Sequence, residues 1–189
     1  MLSLDLGDGA ELRPLEPWRA AEFAAYVDAH REHLRPWLPW ASPDTSGGIT
    51  DEESARRFLQ RYADRQAADK GRIYGLWEHG RLVGGTLFRV FDAASSSCEI
   101  GVWLAADAAG RGLVTRAAGA MVAWAVDDRG IRRVEWHCVP ENLPSRAVAE
   151  RLGMQLEGVQ RQAFEHDGRL WDVELWALVA SSPRQPLSL

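Results

Sequence analysis

The segment Gly110-Arg111-Gly112-Leu113-Val114-Thr115-Arg116-Ala117 constrains the fold more than any other part of the chain. It joins a stretch typical of a strand, residues 98–104, to a stretch with the apolar periodicity of an amphipathic helix. Glycines let the backbone approach a ligand closely, and the free N–H groups of a first helical turn attract a diphosphate. The segment therefore predicts a phosphate-binding loop, although an ordinary strand-to-helix turn explains the glycine pair alone equally well.

Two other phosphate-binding motifs do not fit this segment. A Walker loop ends in Gly-Lys-Ser/Thr, whereas the lysine of this chain, Lys70, lies far upstream. A dinucleotide fingerprint needs a glycine or alanine three residues after its second glycine, and Thr115 stands at that position. The spacing therefore disfavours both of these nucleotide-binding classes.

A second informative unit, residues 134–154, has the pattern of a strand, a turn, a short helix and a stop. Asn142 is a good N-cap, and Pro144 is tolerated in the first helical turn. Gly153 suits a left-handed helix end. These roles are structural and would stand without any ligand.

With both units in view, the chain resembles the GCN5-related N-acetyltransferase (GNAT) superfamily. The family's phosphate loop, Gln/Arg-x-x-Gly-x-Gly/Ala, and its later element, Asn-x-x-Ala/Ser followed by Tyr and Gly-Phe, correspond here to Ala109, Gly112, Val114, Asn142, Ser145, Ala149, Gly153 and Met154. Ala109 departs from the polar first residue, and Val114 from the last glycine. Ala149 replaces the tyrosine that in the family often protonates the leaving thiolate.

A narrower resemblance, to the RimJ/RimL branch, accounts for two of these departures. The matching segments, in order between about residues 10 and 180, are 33–40, 99–104, 110–112 with Thr115, 141–142 with 145–148, and 152–153 with 157–158. In this branch a bulkier residue before Thr115 is usual, and a serine at position 145 often stands where other members rely on tyrosine. Its members acetylate protein N-termini, chiefly ribosomal ones, or small amines.

The resemblance implies a mixed α/β fold, in which helices flank a central, mostly antiparallel twisted sheet. It also implies acetyl-CoA as the co-substrate and self-association into a homodimer. The residues expected to bind CoA are Trp103, Leu104, Gly110, Arg111, Gly112, Leu113, Val114, Thr115, Arg116, Asn142 and Arg146. A bulge in the strand at Trp103 and Leu104 is implied as well, where backbone N–H groups would polarise the thioester carbonyl.

Glu99 and Ser145 are the candidate catalytic residues. Glu99 lies in the strand that leads to the loop, where a carboxylate acting through water would take a proton from the acceptor amine. Ser145 lies one helical turn before Ala149, so its hydroxyl would reach the thiolate in place of the missing tyrosine. The alternatives are a glutamate at a sheet edge or on the surface, and a serine that merely bonds a free N–H of the first turn.

The acceptor is less well defined by the sequence. Trp37 and Trp40 lie in a proline-broken loop, and they belong either to the core or to a wall of the acceptor cleft. A protein N-terminal α-amine that attacks directly in a ternary complex is the favoured acceptor. A small amine, such as an antibiotic or polyamine, and a non-catalytic acyl-CoA-binding module remain as alternatives.

Composition predicts a cytoplasmic, single-domain protein of 189 residues in which residues 181–189 form a flexible tail. Cys98 and Cys138 fall in predicted strands and are read as reduced core thiols. The acidic N-terminal segment is not expected to act as a signal peptide, and no apolar run is long enough for a membrane helix. A net charge of -5 gives no support to nucleic-acid binding, and the 5 scattered histidines predict no metal site.

Periodicity and turn signals predict the remaining elements. Helices are expected near residues 20–27 and 50–62, the second opened by a capping box of Thr50 and Glu53, with a loop at 36–48 between them. Strands are expected at residues 72–78, 82–91, 155–163 and 170–179, with the last two joined as a hairpin by Asp167-Gly168.

Overall fold

The computed structural model describes residues 3–180, so the expected tail at residues 181–189 lies outside the described part. The described strands are β1 (Leu4–Gly7), β2 (Ala10–Pro14), β3 (Arg72–Glu78), β4 (Arg81–Asp92), β5 (Ser97–Leu104), β6 (Arg133–Cys138), β7 (Gln155–His166) and β8 (Arg169–Val179). The α-helices are α1 (Ala20–Leu34), α2 (Glu52–Ala67), α3 (Leu113–Ala123) and α4 (Leu143–Arg151). A π-helical turn, Trp124–Asp128, continues α3.

All these strands form one sheet, in the order β1-β2-β3-β4-β5-β6-β8-β7. Neighbouring strands are antiparallel except for the parallel pair of β5 and β6. That pair is joined only between residues 97–99 and 133–135, so residues 100–104 and 136–138 lie on either side of a gap. The predicted mixed α/β fold with a mostly antiparallel sheet is therefore confirmed.

Helices cover both faces of the sheet. On one face, Phe23 of α1 packs against Phe58 of α2 and against Trp103 of β5, with ring centroids 5.9 and 6.2 Å apart. On the other face, Trp124 at the end of α3 packs 5.8 Å from Phe88 of β4. Because side chains alternate along a strand, each face of the gap receives residues from both β5 and β6.

Most of the locally encoded elements agree with the sequence predictions. β3 has the predicted bounds, and β7 and β8 form the predicted hairpin. The turn residues Asp167 and Gly168 have φ values of 51° and 69°, as a tight hairpin turn requires. The side chain of Asn142 caps α4 by accepting a hydrogen bond from the Ser145 N–H at 3.1 Å.

Two local features differ from the sequence predictions. The hairpin of β1 and β2 was not anticipated, because its strands are only 4 and 5 residues long and carry a weak alternation signal. The capping box of α2 is formed by Asp51 and Ser54, one residue later than the pair Thr50 and Glu53. Asp51 accepts from the Ser54 N–H at 2.8 Å, and an aspartate is a stronger N-cap than a threonine.

Cys98 and Cys138 are buried free thiols, as predicted. Burial raises the pKa of the Cys98 thiol to about 12 and that of the Cys138 thiol to about 11. Within residues 3–180, no helix has the length and apolar character needed to cross a membrane.

Asp69 ties the turn after α2 to the end of α3. Its carboxylate binds Arg129 at 2.6 Å and Arg72 at 2.7 Å, and both guanidinium groups stack on the ring of Trp124. Hydrogen bonds from Arg129 first, and then from Arg72, lower the pKa of Asp69 to about 2. The carboxylate therefore stabilises the fold above the pKa of an unfolded aspartate, and this contribution is lost as the pH falls through about 2.

We expect Asp69→Asn to lower the free energy of unfolding at pH 7 by about 0.5–1 kcal/mol, a small effect because solvent screens a half-exposed carboxylate. Asparagine tolerates the left-handed φ of 56° at this position, so the change removes mainly the charge. Urea unfolding at pH 7 and pH 3 should show a smaller difference from wild type at pH 3. Asp44→Asn, at an exposed loop position, is the control. Equal stabilities of Asp69→Asn and wild type at pH 7 would contradict this account.

Candidate active site

The glycine loop has the geometry of a phosphate cradle. Gly110 and Gly112 have φ values of 80° and 72°, a region that strongly favours glycine. Gly112 is the N-cap of α3, and no side chain caps the N–H groups of that first turn. A Cβ atom added at either glycine would meet nothing within 4 Å, so the space in front of the loop is open. The loop therefore fits the diphosphate of CoA by backbone donors alone.

The two arginines of the loop differ in their surroundings. The Nε of Arg116 is buried without a hydrogen-bond partner among the described residues, and its Nη1 lies 3.5 Å from Asp8 Oδ2. The Arg116 side chain as a whole is 37% exposed, so its positive charge lies beside the cradle, where it suits an anionic ligand. Arg111 instead forms an ion pair with Glu78 of β3. Its predicted contact with CoA would have to compete with that carboxylate.

The other predicted cofactor residues lie around the same end of α3. Leu113 is buried in the core, so only its backbone is available to a ligand, whereas Val114 and Thr115 are partly buried. Arg146 of α4 lies 3.0 Å from the buried Glu174 of β8 and so ties α4 to the sheet. These CoA contacts remain predictions.

Ser145 lies on the α3–α4 face of the gap. Its Oγ accepts a hydrogen bond of 3.0 Å from the indole Nε1 of Trp136, a buried residue of β6. A hydroxyl has one donor and can accept as well, so this contact leaves the serine proton free to be donated. Ala149, one turn later, is fully buried in the core.

Glu99 lies on the opposite, α1–α2 face, where β5 and β6 begin to separate. It is 8% exposed, and both of its carboxylate oxygens accept from Arg89, at 2.5 Å from Nε and 2.5 Å from Nη2. The pair raises the pKa of Arg89 further above its usual value. Glu99 is thus neither exposed nor at a sheet edge. The candidate proton acceptor, Glu99, and the candidate proton donor, Ser145, lie on different faces of one gap.

The bulge implied at Trp103 and Leu104 is found elsewhere. β5 pairs without interruption with β4 from Leu104 to Ile100, and the register shifts in β4 between Phe88 and Val90. The extra residue in β4 is Arg89. A bulge re-aims side chains, and here it directs Arg89 to Glu99. Backbone groups of β5 beyond Glu99 still lack a partner strand on the side of the gap.

The sequence reading missed an imidazole beside Glu99. His137 of β6 lies with its Nδ1 3.6 Å from Glu99 Oε1 and its Nε2 3.4 Å from Glu135 Oε2. Alternation in the predicted strand places Glu135 and His137 on one face, which is the signal that could have indicated them. Two ionisable side chains on one strand face are unusual in a sheet interior.

The tryptophans predicted to wall the acceptor cleft lie in different surroundings. Trp40 packs in an aromatic cluster, with ring centroids 5.7 Å from Phe23 and 5.7 Å from Trp103. Trp37 is partly buried outside that cluster. The buried ring of Trp103 lies against Gly85, where an added Cβ would come within 2.5 Å of it.

Within residues 3–180, no group of His, Cys, Asp and Glu side chains has the arrangement of a metal site.

Residues 11–155 match the family model of the acetyltransferase (GNAT) domain. The chain belongs to this GNAT acetyltransferase family. It is 27% identical over 179 residues to "Putative ribosomal N-acetyltransferase YdaF" of Bacillus subtilis (strain 168), covering 95% of this chain and 96% of the relative. The family membership and the acetyltransferase activity predicted from sequence are therefore confirmed.

Two solved structures share the fold. RimL, a ribosomal L7/L12 alpha-N-protein acetyltransferase in complex with coenzyme A, superposes with a TM-score of 0.87 at 22% identity, over 94% of this chain and 97% of RimL. Mycobacterium smegmatis RimJ in complex with CoA-disulfide superposes with a TM-score of 0.81 at 27% identity, over 90% of this chain and 82% of RimJ. Both were solved with forms of CoA, the co-substrate that the sequence predicts for this chain.

We expect Gly112→Val to weaken CoA binding by about 10–100-fold, because it displaces a ligand held by charge-assisted backbone hydrogen bonds of about 1.5–3 kcal/mol each. Isothermal calorimetry gives the affinity, and thermal melts report the folding. Gly130→Val is the matched control, since Gly130 has a similar φ of 68°, has open space around an added Cβ, and lies beyond the other end of α3. Unchanged affinity in folded Gly112→Val would remove the loop from the site.

Truncating the two loop tryptophans should have different effects. Trp40→Ala removes a ring from the aromatic cluster and should cost about 3–5 kcal/mol of stability. Trp37→Ala should leave the melting temperature near that of wild type and raise the KM for the acceptor several-fold, while the CoA affinity stays unchanged. Melts and acceptor kinetics on both variants test this. A large melting shift in Trp37→Ala with unchanged specificity would assign Trp37 to the core.

Proposed function

We propose that this protein acetylates a protein N-terminal α-amine, using acetyl-CoA, by direct attack within a ternary complex. The observation that carries the proposal is the gap between β5 and β6. Glu99 lies on one face of the gap and Ser145 on the other, with the glycine loop at the start of the adjacent helix α3. A proton acceptor and a proton donor on opposite sides of one opening suit an amine that enters from one face and a thiol that leaves on the other.

The proposed CoA site combines three groups of residues. The loop from Gly110 to Arg116 provides backbone N–H groups and the Arg116 guanidinium for the diphosphate. Asn142 keeps its amide N–H₂ free for the pantetheine arm, because only its Oδ1 is used in capping α4. When bound, acetyl-CoA supplies the thioester whose acetyl group is transferred.

The proposed roles of the remaining residues follow from what each can donate or accept. Glu99 takes a proton from the acceptor amine through a water molecule, since an amine must lose its proton before it can attack. Backbone N–H groups of β5 near Trp103 and Leu104 polarise the thioester carbonyl from the edge that lacks a partner strand. Ser145 donates its hydroxyl proton toward the leaving sulfur while Trp136 holds its oxygen.

The cysteines favour direct attack over an acetyl-enzyme. The thiol pKa of Cys138 is raised to about 11 and that of Cys98 to about 12, both mainly by burial. A thiol with so high a pKa stays protonated near neutral pH and is a poor nucleophile. Neither cysteine therefore supports a covalent intermediate.

The choice of acceptor rests on the relatives. The relative named "Putative ribosomal N-acetyltransferase YdaF" aligns with 95% of this chain. By this analogy, the proposed setting is the cytoplasm, where ribosomal proteins are made. The proposed homodimer rests only on the resemblance to the RimJ/RimL branch. A small-molecule amine and a non-catalytic acyl-CoA-binding role are the competing outcomes of the experiment below.

The test is a thiol-release assay with acetyl-CoA against N-terminal peptides and a library of small amines. Each peptide is paired with an N-formylated copy that carries an internal lysine. Thiol release with free N-termini and none with the blocked copies supports the proposal. Release only with polyamines or antibiotics would assign a small-molecule acceptor, and CoA binding without release from any amine would indicate a binding module.

Ser145→Ala and Glu99→Gln should each lower turnover by about 10–1,000-fold, the range typical of general acid–base groups. CoA affinity should stay near that of wild type, because neither side chain is assigned to the cofactor. Steady-state kinetics and calorimetry on the same preparations measure both quantities. Wild-type turnover in the two variants would leave both residues with structural roles alone.

Ser145→Thr is the control for the serine, since it keeps a hydroxyl and should retain more activity than Ser145→Ala. The control is needed because Ser145→Ala also removes the acceptor of the buried Trp136 indole N–H, at a cost of about 1–3 kcal/mol. Thermal melts separate that loss of stability from the loss of turnover.

A further inference from the structure

His137 lies in a group of charged side chains on the α1–α2 face of the gap. Each of its ring nitrogens faces a carboxylate oxygen, Glu99 Oε1 at 3.6 Å from Nδ1 and Glu135 Oε2 at 3.4 Å from Nε2. Its side chain is 26% exposed, so the ring is partly shielded from solvent. Residues 136–138 lie beyond the last pairing of β6 with β5, which puts the ring at the opening of the gap.

Without a proton on His137, the ion-paired side chains around its ring carry a net negative charge. Glu99 is paired with Arg89 of β4, and Glu135 is paired with Arg133 at 2.6 Å. Arg133 also binds Glu157 of β7 at 2.5 Å. These pairs place three carboxylates against two guanidinium groups. A proton on His137 would neutralise the excess negative charge.

The remaining neighbours among the described residues form no ion pair with these carboxylates. Arg61 and Arg65 of α2 lie near Tyr62, but Arg61 stacks on Phe58 and Arg65 donates to the backbone carbonyls of Lys70 and Arg89. Tyr62 of α2 lies near Glu99 and Arg89, and burial raises the pKa of its hydroxyl, so it stays neutral. On β8, the residue paired with His137 is the apolar Leu175. Among these groups, the imidazole is the one whose two ring nitrogens can both donate and accept a proton.

The arginine pairing limits what Glu99 can do by itself. Both of its oxygens accept hydrogen bonds from Arg89, which engages the whole carboxylate and fixes its position. With both oxygens engaged, this carboxylate needs a neighbouring group with a free acceptor atom. The ring of His137 has both nitrogens available, since the carboxylate contacts are longer than hydrogen bonds.

We propose that His137 holds the proton that leaves the acceptor amine, with Glu99 as the carboxylate through which that proton arrives. The inference rests on the proposed acetyl transfer and extends it by one residue. The ammonium of the acceptor gives one proton to this pair. When the C–N bond forms and the C–S bond breaks, the nitrogen loses its second proton to solvent and the sulfur receives the Ser145 hydroxyl proton. A proton from solvent then restores the serine, so the one proton released overall is the one on His137. His137 touches neither substrate and is a positioning residue, reached through a bridging water or a small turn of its ring.

The test compares the pH dependence of kcat/KM in wild type and in His137→Gln. The wild-type profile should contain an ionisation in the range where histidines titrate, about pH 5–8. The pH of this ionisation should not change when acceptors of different amine basicity are used. In His137→Gln, that ionisation should disappear and kcat should fall about 10–100-fold, with CoA affinity unchanged. His33→Gln, at an exposed position of α1, is the control and should keep the wild-type profile.

A second pair of variants reports on the charge environment itself. Glu135→Gln removes a carboxylate that faces the ring, so the enzyme ionisation should move to lower pH. Glu157→Gln removes the same charge from the cluster but contacts only Arg133, so its shift should be smaller. If His137 had a purely structural role, neither Glu135→Gln nor Glu157→Gln would shift the enzyme ionisation in the pH profile.

The outcomes separate this inference from the proposed function. A wild-type pH profile in active His137→Gln, or equal shifts in Glu135→Gln and Glu157→Gln, would overturn the role of His137 and leave the acetyl transfer intact. Absence of thiol release from every amine in the wild-type protein would instead overturn the proposed function.

Discussion

The short parallel contact between β5 and β6 is the constraint on which the site depends. The strands share only the register of residues 97–99 with residues 133–135, and they separate beyond it. On the far side of each strand, antiparallel partners continue the sheet, β4 beside β5 and β8 beside β6. The sheet therefore remains intact as a scaffold while an opening forms in its middle. Helices on both faces then provide the walls of that opening.

Elements with short-range signals could be predicted from the sequence. The Asn142 cap, the Asp167-Gly168 turn and the glycine loop before α3 are each determined by a few adjacent residues, and the structure contains all three. The N-terminal hairpin of β1 and β2 could not be found in this way. Its strands are too short for a reliable periodic signal, and the hairpin joins the sheet through the pairing of β2 with β3, about 60 residues away in the chain.

The composition of the site depended on contacts that no local pattern encodes. Glu99 was identified from its place in a strand, but its partner Arg89 reaches it through a bulge in the neighbouring strand. Arg111 belongs to the expected loop, yet it forms an ion pair with Glu78 of β3. The sequence is compatible with Trp40 either in the core or in the acceptor cleft. Its packing against Trp103 depends on how a loop folds over the sheet. Long-range pairing decides each of these cases.

The sheet separates the candidate proton donor from the candidate proton acceptor. Trp136 and His137 are adjacent on β6 and so project to opposite faces, one toward Ser145 and the other toward Glu99. In the proposed transfer, the amine therefore loses its proton on the face of Glu99 and His137, and the sulfur receives a proton on the face of Ser145. The alternation of side chains along β6 is what places these candidate groups on opposite sides of the gap.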